Sequence, residues 1–270
     1  MTRKLVAAFV LLSLFTSLAA SAAEKLDVIA VRDGVTIKAA VNADAGKDAP
    51  IVILLVGGNG IARLDRWDGT GDPNGNFMTR IRKDIAAQGF ITALPDAPSD
   101  RQERGLGNSR TGRIHTEDIG AVIRHMRRYS NGPVFVAGTS RGTISAANVA
   151  ARMAAGGIAG LILTATVTKA NKRGSLDPVG EVALEKIRVP VLLAHHKEDD
   201  CYVCPPGSIP SLAKKFTAAP SVKVSFFEGG SGWRGDPCHA FHAHGFLGIE
   251  GKVTADIVAW MKAVAAKAKP

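Results

Sequence analysis

Ser140 stands in a Gly-x-Ser-x-Gly pattern, with Gly138 and Gly142 on either side. Residues 133–137 before it are apolar in the manner of a buried strand, and residues 141–147 after it begin a run of small residues typical of a helix. A serine in a tight strand–turn–helix connection projects its hydroxyl clear of the sheet, and the glycines remove side chains that would clash there. The pattern therefore predicts that Ser140 is a nucleophile.

A serine hydroxyl attacks poorly unless a base removes its proton and an acid orients that base. In chain order the acid is expected after a later strand, and the apolar run 189–194 is followed by Glu198, Asp199 and Asp200. Asp199 lies five residues beyond the last apolar residue of that run, which favours it as the acid. Asp200 is the second candidate and Glu198 the third.

The base is expected between the last strand and the last helix, in a segment that contains His239, His242 and His244. His244 leads through Gly245 into the residues that precede the terminal helix, which is where the base belongs. We therefore predict His244 as the base and keep His242 as the alternative.

Attack on a carbonyl group also requires two backbone N–H groups that bind the oxyanion. One is expected from Arg141, directly after the nucleophile. The second is expected from the glycine-rich loop at residues 57–60, with Asn59 favoured and Gly58 close behind. Such a loop alone could also cradle a phosphate, but its agreement with the serine motif favours the oxyanion role.

Three cysteines fall near these candidates, and in an oxidising compartment two of them should pair. A Cys201–Cys238 disulfide would join the segment after Asp199 to the segment before His244. Cys204–Cys238 is the competing pair, and Cys201–Cys204 is a further option. The same cysteines and histidines could also be read as a zinc site, which we disfavour because exported thiols tend to oxidise and His244 is needed as the base.

The elements that must position these residues form an alternating pattern. A hairpin at residues 26–31 and 35–41, turned at Asp33-Gly34, precedes a continuous apolar run at 51–56. Further strands are predicted at 90–94, 134–137, 161–166, 189–194 and 222–227, and helices at 77–88, 116–129, 141–155, 209–216 and 253–265. This order predicts an α/β fold: a doubly wound, mostly parallel sheet opened by an antiparallel hairpin, with helices on both faces. The loop at 167–180 is short, so any cap is minimal.

Residues 1–22 have the layout of a secretory signal peptide: a basic start, an apolar run to about residue 18, and small residues before the cleavage site. A membrane anchor is the alternative, but the apolar run is shorter than the roughly 20 residues that span a bilayer. We therefore expect export to the periplasm or the medium, no stable membrane insertion, and one domain at residues 23–270.

The formal net charge of +10 raises the question of an anionic partner. Lys and Arg are spread along the chain without a basic helix, which argues against nucleic-acid binding. Arginines and tryptophans in loops could instead line a pocket for a small-molecule substrate and favour an acidic one, although solvated surface charge is the favoured interpretation for most of them: Arg63, Arg66, Trp67, Arg101, Arg104 and Trp233. The sequence does not indicate an oligomeric state.

From about residue 51 to its end, the chain resembles the α/β-hydrolase superfamily, and more narrowly exported bacterial serine hydrolases of poorly defined substrate. The resembling segments are residues 57–60, 96–100, 138–143, 195–201 and 235–246. The resemblance implies a Ser140–Asp199–His244 triad that cleaves an ester-like bond through an acyl-enzyme, without cofactor or metal. Gly57 departs from the pattern, because many relatives carry His there, so the choice between Gly58 and Asn59 stays open.

Other functions remain compatible with these residues. A peptidase or an acyltransferase would use the same triad. A non-catalytic binding protein could also retain the scaffold.

Overall fold

A computed structural model describes residues 24–68, 72, 74–153, 156–171 and 178–267. The signal peptide expected at residues 1–22 lies outside the described residues. Within the described ranges, no helix combines the length and apolar character needed to cross a membrane.

Eight strands form one sheet in the order β1-β2-β4-β3-β5-β6-β7-β8. β1 pairs with β2, and β2 with β4, in antiparallel fashion, whereas all the later neighbours are parallel. The strands are β1 Lys25–Arg32, β2 Val35–Asn42, β3 Ile51–Leu55, β4 Ile91–Pro95, β5 Val134–Thr139, β6 Gly160–Thr164, β7 Val191–His196 and β8 Val222–Phe227. The opening hairpin and the parallel sheet predicted from the sequence are confirmed.

Helices cover both faces of the sheet, as predicted. They are α1 Phe77–Ala87, α2 Arg113–Met126, α3 Gly142–Arg152, α4 Ile209–Ala213 and α5 Glu250–Lys267. Apolar residues of α2, α3 and α4 belong to one buried layer, and those of α1 and α5 belong to the other.

The central strands are apolar throughout because they contribute to both layers. In β5, Val134 and Val136 pack in the layer with α2 and α3, while Phe135 and Ala137 pack in the layer with α1 and α5. Alternate side chains of a strand point to opposite faces, so a strand covered on both faces loses the usual polar alternation. The core therefore fixes β5 and, with it, the turn that carries Ser140.

Several element bounds differ from those predicted. α2 begins and ends three residues earlier than expected, and residues 127–129 form a tighter turn with bonds such as Tyr129 N–H to Met126 O. β7 extends through His195 and His196, because their ring nitrogens lie 2.8 and 2.9 Å from the carbonyl oxygens of Cys204 and Gly229 and so compensate for burying two polar side chains. α3 ends at Arg152, and the last two residues of the helix predicted there, 154–155, lie outside the described residues, as do 172–177 of the predicted cap region.

Candidate active site

Ser140 occupies the turn between β5 and α3 in a left-handed backbone conformation, with φ 52°. Its N–H donates to Thr164 O at 3.0 Å, which ties the turn to the end of β6. A Cβ at Gly138 would lie 2.3 Å from Gly142 O, and one at Gly142 would lie 2.2 Å from Leu55 O. The two glycines are therefore required for close packing, and the serine bears the backbone strain that is common at functional sites.

Asp199 and His244 meet in a buried pair. Nδ1 of His244 lies 2.9 Å from Oδ2 of Asp199 and 3.2 Å from Oδ1. Asp199 follows the end of β7, and His244 lies in a short 3₁₀ helix, Ala243–Gly245, before α5. Both side chains are at most 4% exposed, so the acid and histidine ranked first from the sequence are held together away from water.

The competing acids and histidines have other environments. Glu198 and Asp200 are exposed on the loop around Asp199. His242 stacks on Trp233 with ring centroids 5.2 Å apart, and His239 is exposed. Of these four side chains, none approaches Asp199 or Ser140 as a hydrogen-bond partner among the described residues.

Two further donors hold the Asp199 carboxylate. The N–H of Cys201 donates to Oδ1 at 3.0 Å, and Nε2 of His195 lies 3.3 Å from Oδ2. Burial acts to raise the pKa of Asp199, but the hydrogen bonds with His195 and His244 outweigh it and lower the pKa to about 2. Asp199 is therefore ionised at neutral pH and can orient and stabilise a protonated His244.

Ser140 and His244 line one open cleft of about 360 Å³. Residues 57–59, Arg63, residues 74–77 and residues 238–241 complete its walls. Nε2 of His244 is buried and has no hydrogen-bond partner among the described residues, so it is available to a hydroxyl in the cleft. A larger groove of about 630 Å³ lies beside α2 and α3, but none of Ser140, Asp199 and His244 lines it.

The glycine-rich loop after β3 lies directly against Ser140. A Cβ at Gly57 would be 2.9 Å from the Cβ of Ser140, so only glycine allows this approach. The N–H groups of Gly58, Asn59 and Arg141 make no hydrogen bond within the described part of the chain. Gly58 and Asn59 line the cleft, and Arg141 directly follows Ser140, which also lines it, so the choice between Gly58 and Asn59 stays open.

A disulfide joins Cys201 to Cys238, the pairing ranked first from the sequence. It links the loop of Asp199 to the segment that leads to His244, and Cys238 also lines the cleft. Cys204 is a free, buried thiol, and burial raises its pKa well above the usual value, with a smaller contribution from Asp199. It is therefore held as the neutral thiol.

Cys201, Cys204 and His244 place potential metal-ligating atoms within 4.8 Å of one another. The sulfur of Cys201 is committed to the disulfide, and Nδ1 of His244 is engaged with Asp199. This trio therefore lacks the thiolate set of a structural zinc site, which takes four protein ligands.

Of the six loop arginines and tryptophans noted in the sequence, only Arg63 lines this cleft. Arg63 has φ 62°, and the N–H groups of its neighbours Ala62 and Leu64 donate to the two oxygens of buried Asp96 at 2.6 and 2.8 Å. Asp96 therefore holds the backbone on both sides of Arg63 in a strained turn. Among the described residues that line the cleft, none is acidic.

No protein-family model matches the chain, and no curated protein matches it significantly. Solved structures do match. The Pyrococcus furiosus esterase Pf2001 is 12% identical with a TM-score of 0.62, covering 90% of this chain and 91% of its own. ATU1826 of Agrobacterium tumefaciens, a protein of unknown function assigned as an α/β hydrolase, is 14% identical with a TM-score of 0.59, covering 92% and 100%. A Mycobacterium tuberculosis puromycin-hydrolyzing peptidase is 15% identical with a TM-score of 0.64, covering 90% of this chain and 39% of its own.

The chain has the α/β-hydrolase fold.

Within the α/β-hydrolase fold, three buried side chains around the cleft were not predicted as site residues: His195, Asp96 and Arg110. His195 falls at the end of a strand whose apolar run stops at Ala194, so its four-residue spacing from Asp199 and its place in the resembling segment 195–201 were the signals that could have pointed to it. Asp96 follows β4 directly, at the edge where parallel strands of an α/β-hydrolase fold carry functional residues. Arg110 lies in a short 3₁₀ turn, Gly107–Thr111, that no sequence pattern indicated.

Proposed function

We propose that this protein is a serine hydrolase that cleaves an ester-like bond, with Ser140 as nucleophile, His244 as base and Asp199 as acid. The observation that carries the proposal is the buried pair of Asp199 and His244: Nε2 of His244 has no partner among the described residues, and His244 lines the same cleft as the strained Ser140. The esterase among the structural neighbours supports the reaction class.

The proposed reaction begins when Ser140 Oγ attacks the carbonyl carbon and His244 Nε2 takes the hydroxyl proton. The N–H of Arg141 and that of Asn59 or Gly58 donate to the oxyanion that forms. His244 then protonates the leaving alcohol, which leaves an acyl-enzyme on Ser140. Water activated by His244 hydrolyses that ester and restores the serine. Asp199 stays ionised throughout and stabilises the imidazolium.

An ester is the proposed substrate, while a peptidase or acyltransferase is the second candidate because a peptidase shares the fold. Comparing an ester, the matching amide, and an ester with an added alcohol acceptor separates these three activities. A binding protein on the same scaffold would convert none of them. The Cys201–Cys238 disulfide is compatible with an exported protein, as we propose for a single domain at residues 23–270.

Ser140→Ala tests the nucleophile. We expect the variant to lose about 10³-fold or more of the activity on a short p-nitrophenyl ester, because no other group can form the acyl-enzyme. A fluorophosphonate probe should label the parent at Ser140 by mass spectrometry and leave the variant unlabelled. Undiminished turnover by Ser140→Ala, or failure of the folded parent to react with the probe, contradicts the proposal.

We also propose that the substrate carries a negative charge away from the reacting bond. Arg63 supports this, because it is the one arginine in a cleft whose described walls contain no carboxylate. A carboxylate placed there would gain a charge-assisted hydrogen bond.

Mono-p-nitrophenyl adipate and p-nitrophenyl hexanoate test the charge, since they differ only by a terminal carboxylate in place of a methyl group. Arg63→Gln should lower the preference for adipate by roughly tenfold, the equivalent of one hydrogen bond to a charged group. Arg66→Gln is the matched control, because Arg66 is exposed and lies 3.5 Å from Asp65 outside the cleft. Equal preferences in parent and Arg63→Gln contradict the role of Arg63.

A further inference from the structure

Arg110 is an arginine that the fold buries completely without a carboxylate among the described residues. It lies in the 3₁₀ turn Gly107–Thr111 before α2, and its side chain is 1% exposed. Nη1 donates to Ser145 Oγ of α3 at 2.8 Å. Nη2 lies 3.5, 3.4 and 3.3 Å from the carbonyl oxygens of three successive residues, which are Val56, Gly57 and Gly58.

Two of these carbonyl groups belong to the peptides that carry the candidate oxyanion donors. The C=O of Gly57 and the N–H of Gly58 form one peptide unit, and the C=O of Gly58 and the N–H of Asn59 form the next. In a trans peptide the C=O and N–H point in opposite directions. A guanidinium that holds both oxygens beneath the loop therefore turns both N–H groups away from itself.

The rest of the loop fits closely over the same side chain. A Cβ at Gly60 would lie 2.9 Å from Nη2 of Arg110, and the carbonyl oxygen of Asn59 accepts from the N–H of Leu106 at 2.8 Å. Arg110 itself does not line the cleft. Any effect that it has on the reaction must therefore pass through the loop.

The charge of Arg110 is unfavourable in the resting protein. Burial lowers its pKa to about 9, with a smaller contribution from Arg141, so it remains a cation at neutral pH. A buried charge without an opposite charge is costly. That cost falls when a negative charge forms nearby, and the proposed reaction forms an oxyanion on the other side of the same two peptides. Donation to a C=O also strengthens hydrogen bonding by the N–H of that peptide.

We propose that Arg110 is a positioning residue of the oxyanion site: it aims the N–H groups of Gly58 and Asn59 and stabilises the oxyanion through their peptides. This inference rests on the proposed hydrolase function. Because the oxyanion exists only after attack, Arg110 favours the transition state over the bound substrate. It should therefore act on kcat and leave KM nearly unchanged.

Arg110→Met, Arg110→Lys and Ser145→Ala test this role, with Arg152→Met as the matched control. Arg152 also holds the Gly107–Thr111 turn, through a contact of 3.4 Å between its Nη2 and the Thr111 carbonyl oxygen, but it does not touch the oxyanion loop. Kinetics on a p-nitrophenyl ester, labelling rates with the fluorophosphonate probe, and inhibition by a trifluoromethyl ketone are measured at a temperature where thermal unfolding shows every variant folded.

We expect Arg110→Met to lose about 10²-fold in kcat, near the loss for one oxyanion donor, with KM within about twofold. Inhibition by the ketone, which forms a tetrahedral anionic adduct, should weaken by a similar factor. Arg110→Lys keeps the charge but cannot reach the carbonyls and Ser145 together, so it should retain more activity than Arg110→Met. Ser145→Ala should lose less kcat than Arg110→Met or Arg110→Lys. Arg152→Met should have the same kcat as the parent.

The inference is overturned if folded Arg110→Met loses no more kcat than Arg152→Met, or if its loss appears in KM with unchanged inhibition by the ketone. If Arg110→Met does not fold, Arg110→Lys and Ser145→Ala carry the same comparison. These outcomes differ from a failure of the proposed function, in which Ser140→Ala stays active or the parent does not react with the probe.

Discussion

At the scale of single residues, the central feature of the site is the set of contacts around the Asp199 carboxylate. One carboxylate lies close to two histidines: His244, which faces the cleft, and His195, which is buried at the end of β7. The same Nε2 of His195 lies 2.8 Å from the carbonyl oxygen of Cys204, so one ring nitrogen faces both acceptors. His195 and His244 both approach Oδ2 of Asp199, while the N–H of Cys201 donates to Oδ1, so the carboxylate is held between the three residues.

Asp199→Asn should impair both activity and stability. We expect kcat on an ester substrate to fall by about 10⁴-fold, because an amide can no longer hold the right tautomer of His244 or stabilise its protonated form. Asp200→Asn is the control, because Asp200 is the next residue and is exposed. The activity of the Asp200→Asn variant should match that of the parent. Equal losses in the two variants contradict the assignment of the acid.

The stability effect of Asp199 depends on pH with a defined sign. Its folded pKa of about 2 lies below the unfolded value of about 3.9, so the ionised form stabilises the fold above the unfolded pKa. That contribution is about 2–3 kcal/mol and is lost as the pH falls from about 4 towards 2. Urea unfolding should therefore show a stability gap between parent and Asp199→Asn that narrows over this acidic range, whereas a constant gap contradicts the depressed pKa.

At the scale of elements, two braces hold the segment that carries His244. The Cys201–Cys238 disulfide ties it to the loop after β7. Arg80 of α1 donates to the carbonyl oxygens of Ala240 and Gly245, at 3.2 and 2.5 Å, and so ties the His244 segment to α1. The segment is largely irregular and, within the described residues, has no ladder of backbone hydrogen bonds to a neighbouring strand. The disulfide and the Arg80 hydrogen bonds hold it in place instead.

Loss of the disulfide should loosen the fold and the pairing of Asp199 with His244. The bridge closes a loop with a sequence separation of 37, for which chain entropy predicts a loss of about 3–4 kcal/mol on removal. Cys201→Ala/Cys238→Ala should therefore unfold at a lower temperature and turn over an ester more slowly. A reductant should lower the melting temperature of the parent and of the control Cys204→Ala alike, and leave the double variant unchanged. Insensitivity of the parent to reductant contradicts a stabilising bridge.

At the scale of the whole molecule, the sequence was sufficient to predict those strands, turns and helices that depend on neighbouring residues in the chain. The apolar run of β5 followed by Gly138, Ser140 and Gly142 was sufficient to predict the strand, the turn and the helix, because each feature is local. The burial of Arg110 could not be predicted, because it depends on contacts with Val56–Gly58 and Ser145, which lie 35 or more residues away. The end of β7 was missed for a similar reason: His195 and His196 are buried beside the carbonyl oxygens of Cys204 and Gly229, which lie outside the strand.

The net charge of the whole chain leads to a last prediction, which concerns how substrate approaches. The formal charge of +10, or +8 once Arg3 and Lys4 leave with the expected signal peptide, gives the protein a positive field that attracts anions over distances comparable with the Debye length. We expect kcat/KM for mono-p-nitrophenyl adipate to fall several-fold as salt rises from about 20 to 200 mM, because screening shortens that field to roughly 10 Å or less. The value for p-nitrophenyl hexanoate should change little, since that ester is uncharged.

Arg63→Gln removes one contact and leaves most of the field, so it should keep much of the salt dependence while losing preference for the adipate. A salt response that is the same for both esters would mean that the field plays no part in capturing substrate.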